Sequence, residues 1–320
     1  MIASASRSST RIAIMRFAVA GQMAHARAWL RCVLACLHVL LNPSEPALHA
    51  PPICQVVSSV PRVRWALAMR CPWLLRASTQ TCKRAASGGV LEVLQWARDH
   101  GCAWDGTTCS AAAAGGHVAL IAWAREQGCP WDASACAAAA FAGNLSTLEW
   151  LYSEGCPWNA TATAAAAGGG HLEAIQFVRE RGCPWNAATC TNAAAGGHTS
   201  VLQYVRARGC PWGVSTSNAA AEGGFLETLQ WAKSNGCPAN ELTCYAAASG
   251  GQLECLQWLR SNGCTWSELT CQGAAAHGHL HVLQWARAHG CCWTAGTFWA
   301  AVDAGHVEVL EWLRANQCPR

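Results

Sequence analysis

Cysteine is the residue whose number and spacing most invite chemistry here, with twenty-one in 320 residues. Nine of them, Cys102, Cys129, Cys156, Cys183, Cys210, Cys237, Cys264, Cys291 and Cys318, stand 27 residues apart. Six more, Cys82, Cys109, Cys136, Cys190, Cys244 and Cys271, form a second column at multiples of the same step. Rows of thiols suggest zinc sites or disulfides. The spacing opposes both. Equivalent positions in stacked helical units lie ~8–10 Å apart, whereas a disulfide needs Cα atoms within ~7 Å. No C-x-x-C pair is present either. Both columns are therefore expected to be small buried fillers, with no metal and no cofactor. So many free thiols imply a reducing compartment, and a cytoplasmic location is expected. The glycosylation sequons at Asn144 and Asn159 are then expected to be unused.

Three other columns carry potential chemistry. Histidine recurs at His117, His171, His198, His279 and His306. One ring per unit lacks convergent ligands, so a local turn or capping role is expected. Tryptophan forms one column at Trp96, Trp123, Trp150, Trp231, Trp258, Trp285 and Trp312, with Phe177 and Tyr204 substituting, and another at Trp104, Trp131, Trp158, Trp185, Trp212, Trp266 and Trp293. Packing is expected for the first column and coverage of helix ends for the second, although exposed aromatics also stack on bases. A basic column runs through Arg98, Arg125, Arg179, Arg206, Lys233, Arg260, Arg287 and Arg314, broken by Tyr152. A solvated face is the simpler reading, and phosphate or acidic-partner binding the alternative.

Catalytic signatures are missing: there is no P-loop, no H-E-x-x-H, no G-x-S-x-G after a strand and no dinucleotide fingerprint. A phase held across many units is the wrong design for a single active site. The expectation is no enzyme, no catalytic residue and no small-molecule substrate.

The elements that position these columns follow from the repeat. Nine 27-residue units fill 80–320, preceded by a degenerate unit at 58–79. In one unit Thr107 to Ala114 reads as an Ala-rich helix, capped by Thr107 or Asp105. Gly115 and Gly116 end it. A second helix runs from about His117 to Gln127, stopped by Gly128 and by Pro130. The second helix is apolar on a wide face, as at Leu91, Val93, Leu94, Trp96 and Ala97, which suits a helix sandwiched between neighbouring units. Helices this short are marginal alone, so stacking must supply the core.

The string Ala112 to Gly128, A-A-A-G-G-H-V-A-L-I-A-W-A-R-E-Q-G, resembles the ankyrin repeat, and Gly170-His171-Leu172-Glu173 repeats its helix-start pattern. The resemblance covers about three quarters of the chain. Its unit is shorter than the family's ~33 residues, and Thr-Pro-Leu-His is absent. The missing residues fall where ankyrins project a β-hairpin. The chain is thus similar to the short ankyrin-like arrays of protists and large viruses. The resemblance implies an all-α, ankyrin-like solenoid of stacked helix-turn-helix repeats, with hairpins shortened or absent and first helices on the concave side. A leucine-rich repeat is excluded, because Ala-Ala-Ala-Ala-Gly-Gly cannot supply its strand.

Invariant positions of a repeat hold the scaffold, and variable ones recognise partners. The residue after the first-helix Cys column and the one before the Gly-Gly turn both vary. They place Asn218, Glu222, Tyr245, Gln272, Trp299 and Asp303 in a candidate contact patch. The expected function is a monomeric protein-interaction scaffold or adaptor with an unnamed protein partner. Two alternatives stand beside it: nucleic-acid or acidic-partner binding through the Arg column and loop Trp, and the substrate-recruiting arm of an F-box-type ubiquitin ligase. Residues 76–320 carry fourteen basic and seventeen acidic residues, so the array has no field suited to a phosphate backbone. Residues 1–75 carry eight Arg and one Glu. The basic extension 1–57 is expected to be a disordered tail or, over its first forty residues, an organelle transit segment. No apolar run reaches the ~18–20 residues of a membrane span.

Overall fold

The computed structural model describes residues 79–320. The basic extension 1–57 and all but the last residue of the degenerate unit lie outside the described residues. The described residues fall into two compact units, divided between Ala103 and Trp104. Each described stretch is built from helical hairpins, and no strand occurs among the described residues.

The first unit contributes one hairpin, α1 (Thr79–Ser87) and α2 (Leu91–Asp99). The second contains eight. They are α3 (Gly106–Ala114) with α4 (Val118–Glu126), α5 (Ala133–Ala142) with α6 (Leu145–Ser153), α7 (Ala160–Gly169) with α8 (Leu172–Glu180), and α9 (Ala187–Ala195) with α10 (Thr199–Ala207). There follow α11 (Val214–Glu222) with α12 (Leu226–Ser234), α13 (Glu241–Ser249) with α14 (Leu253–Ser261), α15 (Glu268–Ala276) with α16 (Leu280–Ala288), and α17 (Ala295–Ala304) with α18 (Val307–Ala315). Every odd-numbered helix from α3 to α17 packs along its odd-numbered neighbours, and each packs on its own even-numbered partner. The second unit is thus a solenoid of stacked helical hairpins.

Local chemistry explains each boundary. Five first helices are capped by the residue just before them, Asp105, Asp132, Asn159, Asn186 and Asn240: Asp105 Oδ1 accepts from Thr107 N at 3.0 Å, and Asn240 Oδ1 from Leu242 N at 3.0 Å. Asp105, rather than Thr107, is therefore the cap. At Asn240 the arrangement closes into a capping box, its own N–H donating to Thr243 Oγ1 at 3.2 Å. Both helices then end in the same way. Gln252 N reaches back to Ala247 O at 2.8 Å, and Cys264 N to Leu259 O at 3.0 Å. Each bond wraps a left-handed residue, Gly251 at φ 72° and Gly263 at φ 75°, a conformation that costs little only for glycine.

The core alternates two grades of side chain. First helices contribute alanines with no exposed surface, such as Ala112, Ala139, Ala166, Ala193, Ala220 and Ala247, and so approach each other closely. Second helices contribute the 27-residue column Ile121, Leu148, Ile175, Leu202, Leu229, Leu256 and Leu283, all fully buried. Each such side chain contributes ~1.5–3 kcal/mol on burial, which a 9-residue helix alone could not secure.

Candidate partner-binding surface

The loop face comes first, because most columns end there. Cysteines of the Gly-Cys column close each hairpin of the second unit on itself. Cys183 Sγ donates to Asn159 O at 3.2 Å, Cys237 to Gly213 O at 3.4 Å, and Cys264 to Asn240 O at 3.1 Å. The acceptor is the carbonyl of the residue that caps the first helix of the same hairpin. The second thiol column meets the first: Cys244 lies against Cys264, and this contact, with Lys233 and Arg260 nearby, lowers the Cys264 thiol. Ser217 makes the same contact, 3.2 Å from Cys237 Sγ. Burial pushes Cys255 up to about 11. The thiols were expected only as fillers, and comparing positions within each column hides this pairing between residues 20 apart. None of the seventeen described cysteines forms a disulfide. Among the described residues no three His, Cys, Asp or Glu side chains converge on a metal position.

The Arg and Trp columns form one device. Arg260 Nη1 donates to Cys264 O at 2.6 Å while its guanidinium lies 4.1 Å from the Trp266 ring. Arg125 with Trp131, Arg179 with Trp185, and Arg287 with Trp293 repeat it at 4.3, 4.0 and 4.0 Å. The exceptions support the pairing. Where Tyr152 replaces Arg, its ring stacks on Trp158 at 4.5 Å. Where Ala239 replaces the loop Trp, the base is Lys233, which donates instead to Asn262 O at 3.0 Å. The two Trp columns also meet, edge to face, across consecutive hairpins: Trp131 with Trp150 at 6.2 Å and Trp266 with Trp285 at 5.8 Å. The first Trp column is half-buried rather than part of the core. The basic column is therefore engaged by its own loops rather than being a bare solvated row.

The histidines differ from expectation. None caps its own helix. His198, His279 and His306 instead reach one hairpin back. His279 Nε2 lies 2.9 Å from Ser249 O and His306 Nε2 3.1 Å from Ala276 O, with the rings laid over Gly251 and Gly278. Asn144 plays the part once, donating to Ala114 O at 2.7 Å. The role is a clamp between hairpins, and the signal for it was the Asn, Gln and Phe substitutions at that phase. Asn144 and Asn159, the sequon residues, both have their side chains engaged in the scaffold.

What remains is the first-helix face. Tyr245 and Gln272 come together in an open groove of about 260 Å³, with Leu242, Leu269, Gly273 and Ala276. Leu242 and Leu269 were missed, since the comparison scored only two variable columns. Trp299, 52% exposed, stands on α17 at the phase of Gln272 one hairpin on. Glu222 and Asp303 are exposed at the ends of α11 and α17 and do not line the groove. Asn218 is half-buried, its Oδ1 accepting from Thr243 Oγ1 at 2.7 Å, so it serves the contact between hairpins.

No protein-family profile matches the chain. No curated protein matches it either. Among solved structures it is similar to the human ASB11 ankyrin repeat domain, with 19% identity and a TM-score of 0.40, over 49% of this chain and 84% of that one.

Proposed function

We propose that this chain is a protein-binding scaffold, without catalytic activity of its own, that takes its partner on the first-helix face. One observation carries the reading. The loop columns are occupied by contacts within the stack, and the second helices expose only Tyr152, stacked on Trp158, and Val307 among the described large apolar residues, whereas the first helices expose Phe141 at 59%, Leu242 at 43% and Trp299 at 52%. Isolated aromatic anchors on a rigid helical face are the usual hot spots of protein interfaces. No helix among the described residues is long and apolar enough to cross a membrane. The unbridged thiols fit a reducing compartment such as the cytoplasm.

The reading based on nucleic acid loses its chemistry at the Arg column, where each of five guanidiniums already holds a carbonyl and an aromatic face. Affinity capture from cell extract, comparing wild type with the Tyr245→Ala/Trp299→Ala variant, tests the scaffold reading. Loss of specific partners is expected. An unchanged partner list would remove this face from consideration.

A further inference from the structure

We propose that the groove between α13 and α15 docks a basic peptide segment of a partner protein, anchored by one large apolar side chain. This rests on the scaffold reading and names its site and the chemistry of its occupant.

The groove has a built apolar floor. Leu242 and Leu269 occupy a first-helix position held elsewhere by Thr107, Ser134, Thr161, Ala188, Ser215 and Gly296. Two leucines left 43% and 36% exposed side by side serve nothing in the stack. Their wall is coupled to a second departure. Gly273 sits inside α15, where the other first helices of this unit carry Ala or Asn. A Cβ there would lie 2.9 Å from Tyr245 Cε2 and 2.5 Å from Ser249 Oγ. Glycine inside a helix costs ~1 kcal/mol against alanine, and here it makes the space in which the Tyr245 ring is seated. A paired change of this kind separates a shaped surface from drift.

Size and charge select the occupant. About 260 Å³ holds one or two large side chains and falls below the ~300–1,000 Å³ of small-molecule sites. The first helices α3 to α17 contain no Lys or Arg. They do carry Glu241 and Glu268 at the start of α13 and α15, with Glu222 and Asp303 one hairpin to either side. None of these four exposed carboxylates meets a cation among the described residues. An acidic or phosphorylated segment meets like charge here, whereas Lys and Arg flanking a Leu, Ile, Met or Phe anchor meet complementary charge. Trp299 gives the segment a second apolar contact.

The test is selection of a random twelve-residue peptide library on the full chain, followed by fluorescence anisotropy with the recovered peptides. Recovered peptides carrying net positive charge around an apolar residue are expected. Leu242→Ser/Leu269→Ser should weaken them by ~30-fold or more, the scale of a lost hot spot. Glu241→Gln/Glu268→Gln, next to the groove leucines, should weaken them by ~3–10-fold at low salt and less at high salt. Peptides without positive charge, or indifferent to the leucine variant, overturn the proposal. If Phe141→Ser releases those peptides, the scaffold reading survives and only the groove fails. If only Arg260→Ala/Arg287→Ala releases them, both fail. Self-association in sedimentation, abolished by Leu242→Ser, would make a second copy the occupant and also overturn it.

Discussion

Two glycines with nearly the same backbone isolate the clamp between hairpins. Gly251 and Gly263 both adopt left-handed φ, 72° and 75°. Alanine at either position incurs the left-handed penalty, ~1 kcal/mol. Their surroundings differ. Nothing lies within 4 Å of a Cβ built on Gly263, whereas one on Gly251 lies 2.7 Å from His279 Nδ1 and 2.8 Å from Cε1. The His279 ring must therefore move. That breaks its 2.9 Å contact with Ser249 O, worth ~1 kcal/mol net and up to ~3 if the carbonyl is left unsatisfied. Gly263→Ala should cost ~1 kcal/mol and Gly251→Ala ~2–4. Urea unfolding followed by circular dichroism measures both. Amide exchange of α13 to α16 localises the effect, since repeat arrays open by neighbouring units. Adding His279→Ala to Gly251→Ala should recover the steric part. Equal losses at the two glycines would refute the clamp, whatever their absolute size.

Removing the guanidinium in Arg260→Ala should cost ~1.5–3 kcal/mol, the scale of a charge-assisted bond, because Cys264 O and the Trp266 face both lose their partner. Denaturation midpoints measure this, and retention on a polyanion column should not change. Cys190→Ser should shift stability by less than ~1 kcal/mol, since Ser217 already fills the equivalent position against Cys237. A large loss would show that the thiol pair itself matters. Burial holds the His279 imidazole below its usual range, with His281, His277 and His306 adding to the effect. The unfolded chain then binds the proton more readily than the folded one. Stability should be complete above pH ~6.5 and decline as pH falls through the unfolded pKa. Its slope should flatten in His279→Gln.

The fold was legible because its signals are local and repeated. Gly-Gly after an alanine run and Gly-Cys after an amphipathic run mark the same helix end, and the structure closes both with the same backbone bonds. The roles of the columns were less legible for one reason. A 27-residue step aligns each residue with its copies, but these side chains act at offsets of 20, 24 and 30 residues, as at Cys244 with Cys264, Cys264 with Asn240, and His279 with Ser249. The signal that could have revealed those offsets lies in the exceptions. Lys233 appears where Trp gives way to Ala239, and Ser217 faces Cys237 as a thiol would. Gly273 stands against Tyr245 in the same way. In an array this regular, a departure compensated by a complementary departure one hairpin away identifies a contact, and a departure that leaves its side chain exposed identifies surface. Asn218, bonded to Thr243, serves the contact between hairpins, while Leu242, Leu269 and Trp299 remain exposed on the face proposed to take the partner.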